Sequence, residues 1–156
     1  MQSMVFVSLT LVLSLSQAAP VAKPDFSGSW TLDRSRSQST ESATLEIKQS
    51  GAEVSIETTS AGKVSRRTYP LEVSPHPASE TLSAGHTHAS WDGTKLVTEL
   101  VGDISGQTVS YRQIRYLNES RTEMTVETVT IVQHGYSLKN GKNYSTSKDV
   151  YVRAKN

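Results

Sequence analysis

The sequence predicts an all-β domain, an antiparallel up-and-down β-barrel of about 8–10 strands. Apolar and polar residues alternate with a period of two along most of the chain, as in the run 44–48. Turn-forming pairs such as Asp92-Gly93 and Asn140-Gly141 separate the alternating runs. Almost no stretch has the longer period of a packed helix. Strands joined by such short connections lie antiparallel, and a meander of many strands curls into a barrel.

Nine alternating runs give the expected strands in chain order. They lie near 27–33, 43–49, 52–59, 63–73, 81–91, 95–102, 107–117, 121–133 and 144–154. The polar segment 34–42 follows the first strand and is too short for two packed lid helices. Pro75 and Pro77 exclude a central strand, so the segment 74–80 is predicted to be a loop.

The N-terminus has the layout of a secretory signal peptide. Residues 4–15 form an apolar run too short to span a bilayer, and small residues precede a cleavage point after Ala18. A retained membrane anchor is the alternative, because no Lys or Arg precedes the run. We expect a signal peptide at 1–18, a flexible Pro-rich leader at 19–25 and one folded domain at 26–156. This predicts secretion to the periplasm or the extracellular space, without stable membrane insertion after cleavage.

Composition excludes several classes of function. The formal net charge of +1 argues against nucleic acid as the main partner. The absence of cysteine removes disulfides, thiol catalysis and cysteine metal sites. The sequence contains no Gly-x-Ser-x-Gly, no Walker loop and no His-Glu-x-x-His motif. We therefore expect no enzyme activity and no cofactor.

Three short segments resemble those of a known family. Gly28-Ser29-Trp30 opens the first strand, residues 90–93 look like a hairpin, and residues 150–154 look like a last strand. Together they resemble the calycins, which comprise lipocalins, fatty-acid-binding proteins and avidins. The resemblance implies a barrel with an internal cavity for a small apolar ligand. It also implies that Trp30 packs against Arg153 from the last strand.

The chain departs from the fatty-acid-binding proteins at two places. Those proteins carry two lid helices after the first strand, where this chain has only the segment 34–42. Their ligand carboxylate is held by an Arg two residues before a Tyr on the last strand. At that position this chain has Asp149 before Tyr151. The resemblance therefore implies a barrel without lid helices, like that of lipocalins or avidins.

Basic residues on strand faces are the candidates for ligand binding. Arg67 shares a strand face with Tyr69, and an inward Arg can hold the acid group of a ligand. Arg112 shares a face with Tyr116, whereas Arg115 projects from the opposite face; alternation does not decide which face is internal. We predict a ligand site at Arg67, Tyr69, Arg112 and Tyr116. The alternative is that these Arg residues lie outside the barrel, paired with Glu across strands.

Two other motifs have a possible chemistry. His86 and His88 project to one strand face and can hold a metal if an acidic residue or a third His faces them. We interpret them as exposed polar residues. Asn118 and Asn143 begin Asn-x-Ser triplets, which are glycosylation acceptors in a host that glycosylates secreted proteins.

The expected function is that of a secreted, non-enzymatic, lipocalin-like protein that binds a small hydrophobic or amphiphilic molecule. The first alternative is a structural or protein-interaction domain with a filled interior, since a barrel of about eight strands is just wide enough for either outcome. Large apolar side chains are scarce, with only two Phe in the chain, which favours an unfilled cavity. The second alternative is an uncharacterised enzyme.

Overall fold

A computed structural model describes residues 22–72, 85–104, 106–134 and 143–155. The strands are β1 Gly28–Leu32, β2 Ala43–Gln49, β3 Glu53–Ser60, β4 Lys63–Pro70, β5 Thr87–Asp92, β6 Lys95–Ile104, β7 Gln107–Leu117, β8 Glu123–His134 and β9 Tyr144–Arg153. The predicted signal peptide, the Asn140-Gly141 turn and the predicted 74–80 loop lie outside the described residues. The described residues contain no helix that is long and apolar enough to span a membrane.

The nine strands form one antiparallel sheet in the order β4-β3-β2-β1-β9-β8-β7-β6-β5. Sequential strands are neighbours except for β4 and β5, which form the two ends of the sheet, and the pairing of β1 with β9 joins the two halves of the chain. The sheet curls into a nearly closed barrel, which confirms the predicted fold class. The β3–β4 hairpin shows how turn chemistry sets the register. Ala61 and Gly62 both have positive φ, as a type I′ turn requires, and Ser60 pairs with Lys63.

The two ends of the sheet, β4 and β5, meet only through a short contact, called here the β4–β5 seam. Leu71 and Ala89 form one parallel bridge, and the backbone N–H of Glu72 donates to the carbonyl of Ala89 at 2.8 Å. The bridge is parallel because strand direction alternates around an odd number of strands. The described residues therefore join β4 to β5 by far fewer hydrogen bonds than any other neighbouring pair.

The segment between β1 and β2 contains one 3₁₀ turn, Arg34–Arg36, in place of lid helices. The rest of the segment lies along β9. The backbone N–H of Gln38 donates to the carbonyl of Lys148 at 3.0 Å, and the N–H of Val150 donates to the hydroxyl of Ser37 at 2.9 Å. The prediction that this segment holds no lid helices is confirmed.

Apolar side chains fill one end of the barrel. Trp30 is fully buried there, and its indole N–H donates to the carbonyl of Phe26 at 2.9 Å. Arg153 lies over the ring, with its guanidinium carbon 4.1 Å from the centre. The structure thus brings together the pair that the calycin resemblance implies. The same packed end contains Ile47, Val54, Leu96 and Met124. Toward the other end of the barrel, the described side chains leave the interior unfilled.

Candidate functional site

The open end of the barrel encloses a cavity of ≈ 1010 Å³. This volume is at the upper end of the roughly 300–1,000 Å³ that small-molecule pockets occupy. It argues against a barrel interior filled by side chains. The cavity is lined by Ser39, Leu45, Ile56, Thr58, Ser65, Arg67, Tyr69, Gly85, Leu100, Val101, Gly102, Asp103, Val109, Tyr111, Gln113, Arg115, Val126, Thr130, Asp149 and Tyr151.

Arg115 is the charged group buried most deeply in the cavity wall, with an exposure of 2%. It projects from β7 and donates from Nη1 to the hydroxyl of Thr98 at 2.6 Å. Its Nη2 donates to the side-chain oxygen of Gln113. Its Nε is shielded from solvent and has no hydrogen-bond partner among the described residues. Burial lowers the pKa of Arg115, but a guanidinium of such high intrinsic pKa keeps its charge.

Three tyrosines line the same cavity as this cation: Tyr69, Tyr111 and Tyr151. Burial raises the pKa of Tyr151 to about 12, with a further contribution from the charge of Asp149. Burial also raises the pKa of Tyr69. Both phenols are therefore neutral at physiological pH, and each adds a potential O–H donor to the cavity lining.

The buried carboxylate in the cavity wall does not neutralise Arg115. Asp149 is 8% exposed and accepts two hydrogen bonds from Ser39, one from its N–H at 2.8 Å and one from its hydroxyl at 2.6 Å. In the described part of the chain, no carboxylate forms an ion pair with Arg115. The cavity therefore presents a buried positive charge without a protein counter-ion among the described residues.

Of the four predicted ligand-site residues, the structure brings two to the cavity. Arg67 and Tyr69 project from β4 into its wall, Arg67 exposed and Tyr69 buried. Arg112 and Tyr116 lie on the outward face of β7, so their expected inward position is not found. The phenol of Tyr116 instead donates to Glu127 at 2.9 Å. The physical reason is that successive side chains of a strand point to opposite faces. Because Arg115 points inward, Arg112 and Tyr116 point outward.

Sequence reasoning did not select Arg115, Ser39 or Gln113. The sequence does contain a signal for Arg115 as a cavity residue, because Arg115 shares a strand face with the aromatic Tyr111. It contains no such signal for Ser39, since the role of Ser39 depends on the segment 34–42 lying along β9.

Asn118 and Asn143 are exposed, and their glycosylation stays a prediction.

The two histidines lie outside the cavity lining. His88 is only 2% exposed, so its interpretation as an exposed polar residue is wrong. The pairing of β5 with β6 places His88 opposite Glu99. His86 precedes β5 and is partly exposed.

Comparison with known proteins identifies the fold. No family model and no curated protein matches the chain. Among solved structures, a variant of the fluorescent protein UnaG matches with a TM-score of 0.51 and 15% identity, over 84% of this chain and 97% of that one. Apo lipid binding protein 8 of Caenorhabditis elegans matches with a TM-score of 0.54 and 16% identity, over 87% of this chain and 100% of that one. The chain therefore shares the fold of these two proteins, a nearly closed antiparallel β-barrel, as the calycin resemblance implies.

Proposed function

We propose that this protein binds a small, partly apolar anion inside its barrel and has no enzymatic activity. One observation carries the proposal: Arg115 is buried in the wall of a ≈ 1010 Å³ cavity, and no carboxylate among the described residues neutralises it. A buried charge is costly unless it is paired, and Arg cannot release its proton to avoid the cost. An acid group of a ligand would supply the missing counter-ion.

The lining fits a ligand with one charged end and an apolar body. The acid group would accept hydrogen bonds from Arg115 and from the neutral phenols of Tyr69 and Tyr151. The body would lie against apolar side chains of β2, β3 and β8, among them Leu45, Ile56 and Val126. Such a division, a mostly apolar wall with a few polar anchors, is typical of small-molecule sites. The similarity to lipid binding protein 8, a binding protein by its name, supports the same proposal.

A displacement assay tests the charge recognition. The protein is loaded with the fluorescent amphiphile anilinonaphthalene sulfonate, which is then displaced by dodecanoate or by dodecanol. We expect dodecanoate to compete better by about tenfold or more, since a hydrogen bond to a charged group contributes about 1.5–3 kcal/mol. Arg115→Gln should remove that preference, and the exposed Arg67→Gln should reduce it.

Arg112→Gln is the matched control, because Arg112 is on the same strand but faces outward. It should leave the preference unchanged. Circular dichroism of each variant checks that the barrel is intact. Equal competition by the acid and the alcohol in the unmodified protein, or the same loss in Arg112→Gln as in Arg115→Gln, would contradict the proposal.

We also propose that the chain is exported and cleaved after Ala18. The support is the short apolar run 4–15 followed by small residues, without a cysteine for a lipid anchor. N-terminal sequencing of material recovered from the medium or periplasm should begin at Ala19. A membrane-bound product that still begins at Met1 would exclude cleavage.

A further inference from the structure

We propose that Glu72, His86 and His88 form a binding site for a divalent transition metal on the β4–β5 seam, with Zn²⁺ as the favoured ion. One potential ligand atom from each of the three residues lies within 4.8 Å of the other two. None of the three lines the cavity, so the inference is independent of the proposed ligand site. Two imidazoles and one carboxylate are a donor set that Zn²⁺ favours.

The distances suit a site that contracts around its ion. Nε2 of His86 is 4.0 Å from a carboxylate oxygen of Glu72. Zinc bonds of about 2.0–2.2 Å in a tetrahedron bring ligand atoms to about 3.4 Å from one another. The shift required is well under 1 Å for this pair, and both side chains are about one-third exposed, so they have room to move. His88 is the fixed ligand, because it is held in β5 and is almost fully buried.

Glu99 supplies an outer partner for His88. Its carboxylate lies 3.9 Å from Nε2 of His88 and accepts a hydrogen bond from the hydroxyl of Ser110 at 2.6 Å. A carboxylate beside one ring nitrogen favours the proton on that nitrogen and leaves the other nitrogen for the metal. For His88 the metal-binding atom is then Nδ1, which is shielded from solvent, as is Nε2 of His86.

The position in the fold gives the site a consequence for stability. Glu72 belongs to the chain leaving β4, whereas His86 and His88 belong to the chain entering and forming β5. A bound ion would therefore connect the two ends of the sheet where one parallel bridge joins them. Because the three ligands come together only in the folded barrel, metal binding should stabilise the native state.

Titration of the purified metal-free protein with ZnCl₂, followed by calorimetry, tests the site. We expect saturation at one ion per chain and a rise in melting temperature of roughly 10 °C at a metal concentration about a hundred times the Kd. Glu72→Gln and His86→Gln should each weaken binding at least about tenfold, and Glu99→Gln should weaken it by about 10–100-fold. These variants change partly exposed or outer residues, so the test does not depend on the buried His88→Gln folding.

Two controls separate this site from adventitious binding. Glu57→Gln removes a surface carboxylate paired with Arg66, and His134→Gln removes another histidine. Both should bind zinc like the unmodified protein. The absence of saturable binding, unchanged affinity in Glu72→Gln or His86→Gln, or an equal loss in His134→Gln would overturn the proposal. Displacement of anilinonaphthalene sulfonate should be unaffected in Glu72→Gln, which distinguishes failure here from failure of the proposed function.

Discussion

Gly28, Trp30 and Arg153 form one packed unit at the filled end of the barrel. Gly28 has a φ of +123°, and a Cβ built on it would lie 2.9 Å from Nη1 of Arg153. The same guanidinium covers the Trp30 ring and donates to the carbonyl of Ser27 at 2.6 Å. Cation–π contact and this hydrogen bond fix the guanidinium in place. The glycine two residues before the Trp therefore makes room for the Arg.

Gly28→Ala should destabilise the protein by about 2 kcal/mol or more. An L side chain at this φ costs about 1–2 kcal/mol, and displacing Arg153 from Trp30 adds to the loss. Urea unfolding followed by circular dichroism measures the change. Gly51→Ala is the matched control, since Gly51 has open space at its Cβ position. A Gly28→Ala protein as stable as the Gly51→Ala protein would refute the steric argument.

At the residue scale, the sequence predicts which residues share a strand face better than it predicts which of the two faces is internal. The pairing of Trp30 with Arg153 followed from a family resemblance, and Arg67 with Tyr69 followed from one strand face. For β7 the alternation separates Arg112 from Arg115, but both faces carry apolar and aromatic residues. Which face is internal depends on the register with β6, which places Thr98 opposite Gln113 beside the Arg115 guanidinium. That register is a long-range property of the sheet.

The segment between β1 and β2 is the element in which this barrel differs from one with lid helices. Its polar composition predicts the absence of helices, because it offers no apolar stripe to pack. Where the segment lies could not be predicted, since most of its hydrogen bonds are to β9, more than a hundred residues later. Ser39 and Asp149 are 110 positions apart and share two hydrogen bonds. They hold the segment at the rim of the cavity.

Ser39→Ala should lower the free energy of unfolding by about 1–3 kcal/mol. The variant keeps the backbone donor but leaves one oxygen of the buried Asp149 carboxylate without its hydroxyl partner. Thermal unfolding of the variant against Ser42→Ala, an exposed serine of the same segment, measures the effect. If both variants melt at the temperature of the unmodified protein, the Ser39 hydroxyl does not hold the segment to β9.

At the scale of the whole molecule, the number of strands determines how the barrel closes. Because strand direction alternates around nine strands, the two edge strands β4 and β5 run parallel, whereas all other neighbours are antiparallel. The sequence predicts the strands and their order, because short turns connect most of them. It could not predict that β4 and β5 meet at Leu71 and Ala89, since the chain between them gives only a loop signal around its prolines.

The β4–β5 seam should be the first part of the barrel to open. The amide of Glu72 crosses it and donates to Ala89, whereas the amides of Val126 and Thr128 lie in β8 between two complete antiparallel ladders. Opening the seam exposes few buried apolar groups, so the free energy of this opening should lie well below that of global unfolding.

Native-state hydrogen exchange with NMR detection should show the Glu72 amide exchanging faster than those of Val126 and Thr128. Low concentrations of urea should accelerate exchange in β8 but leave the rate at Glu72 nearly unchanged, because m-values scale with the surface exposed. Equal rates and equal urea dependence at the three amides would mean that the seam opens only when the whole barrel unfolds.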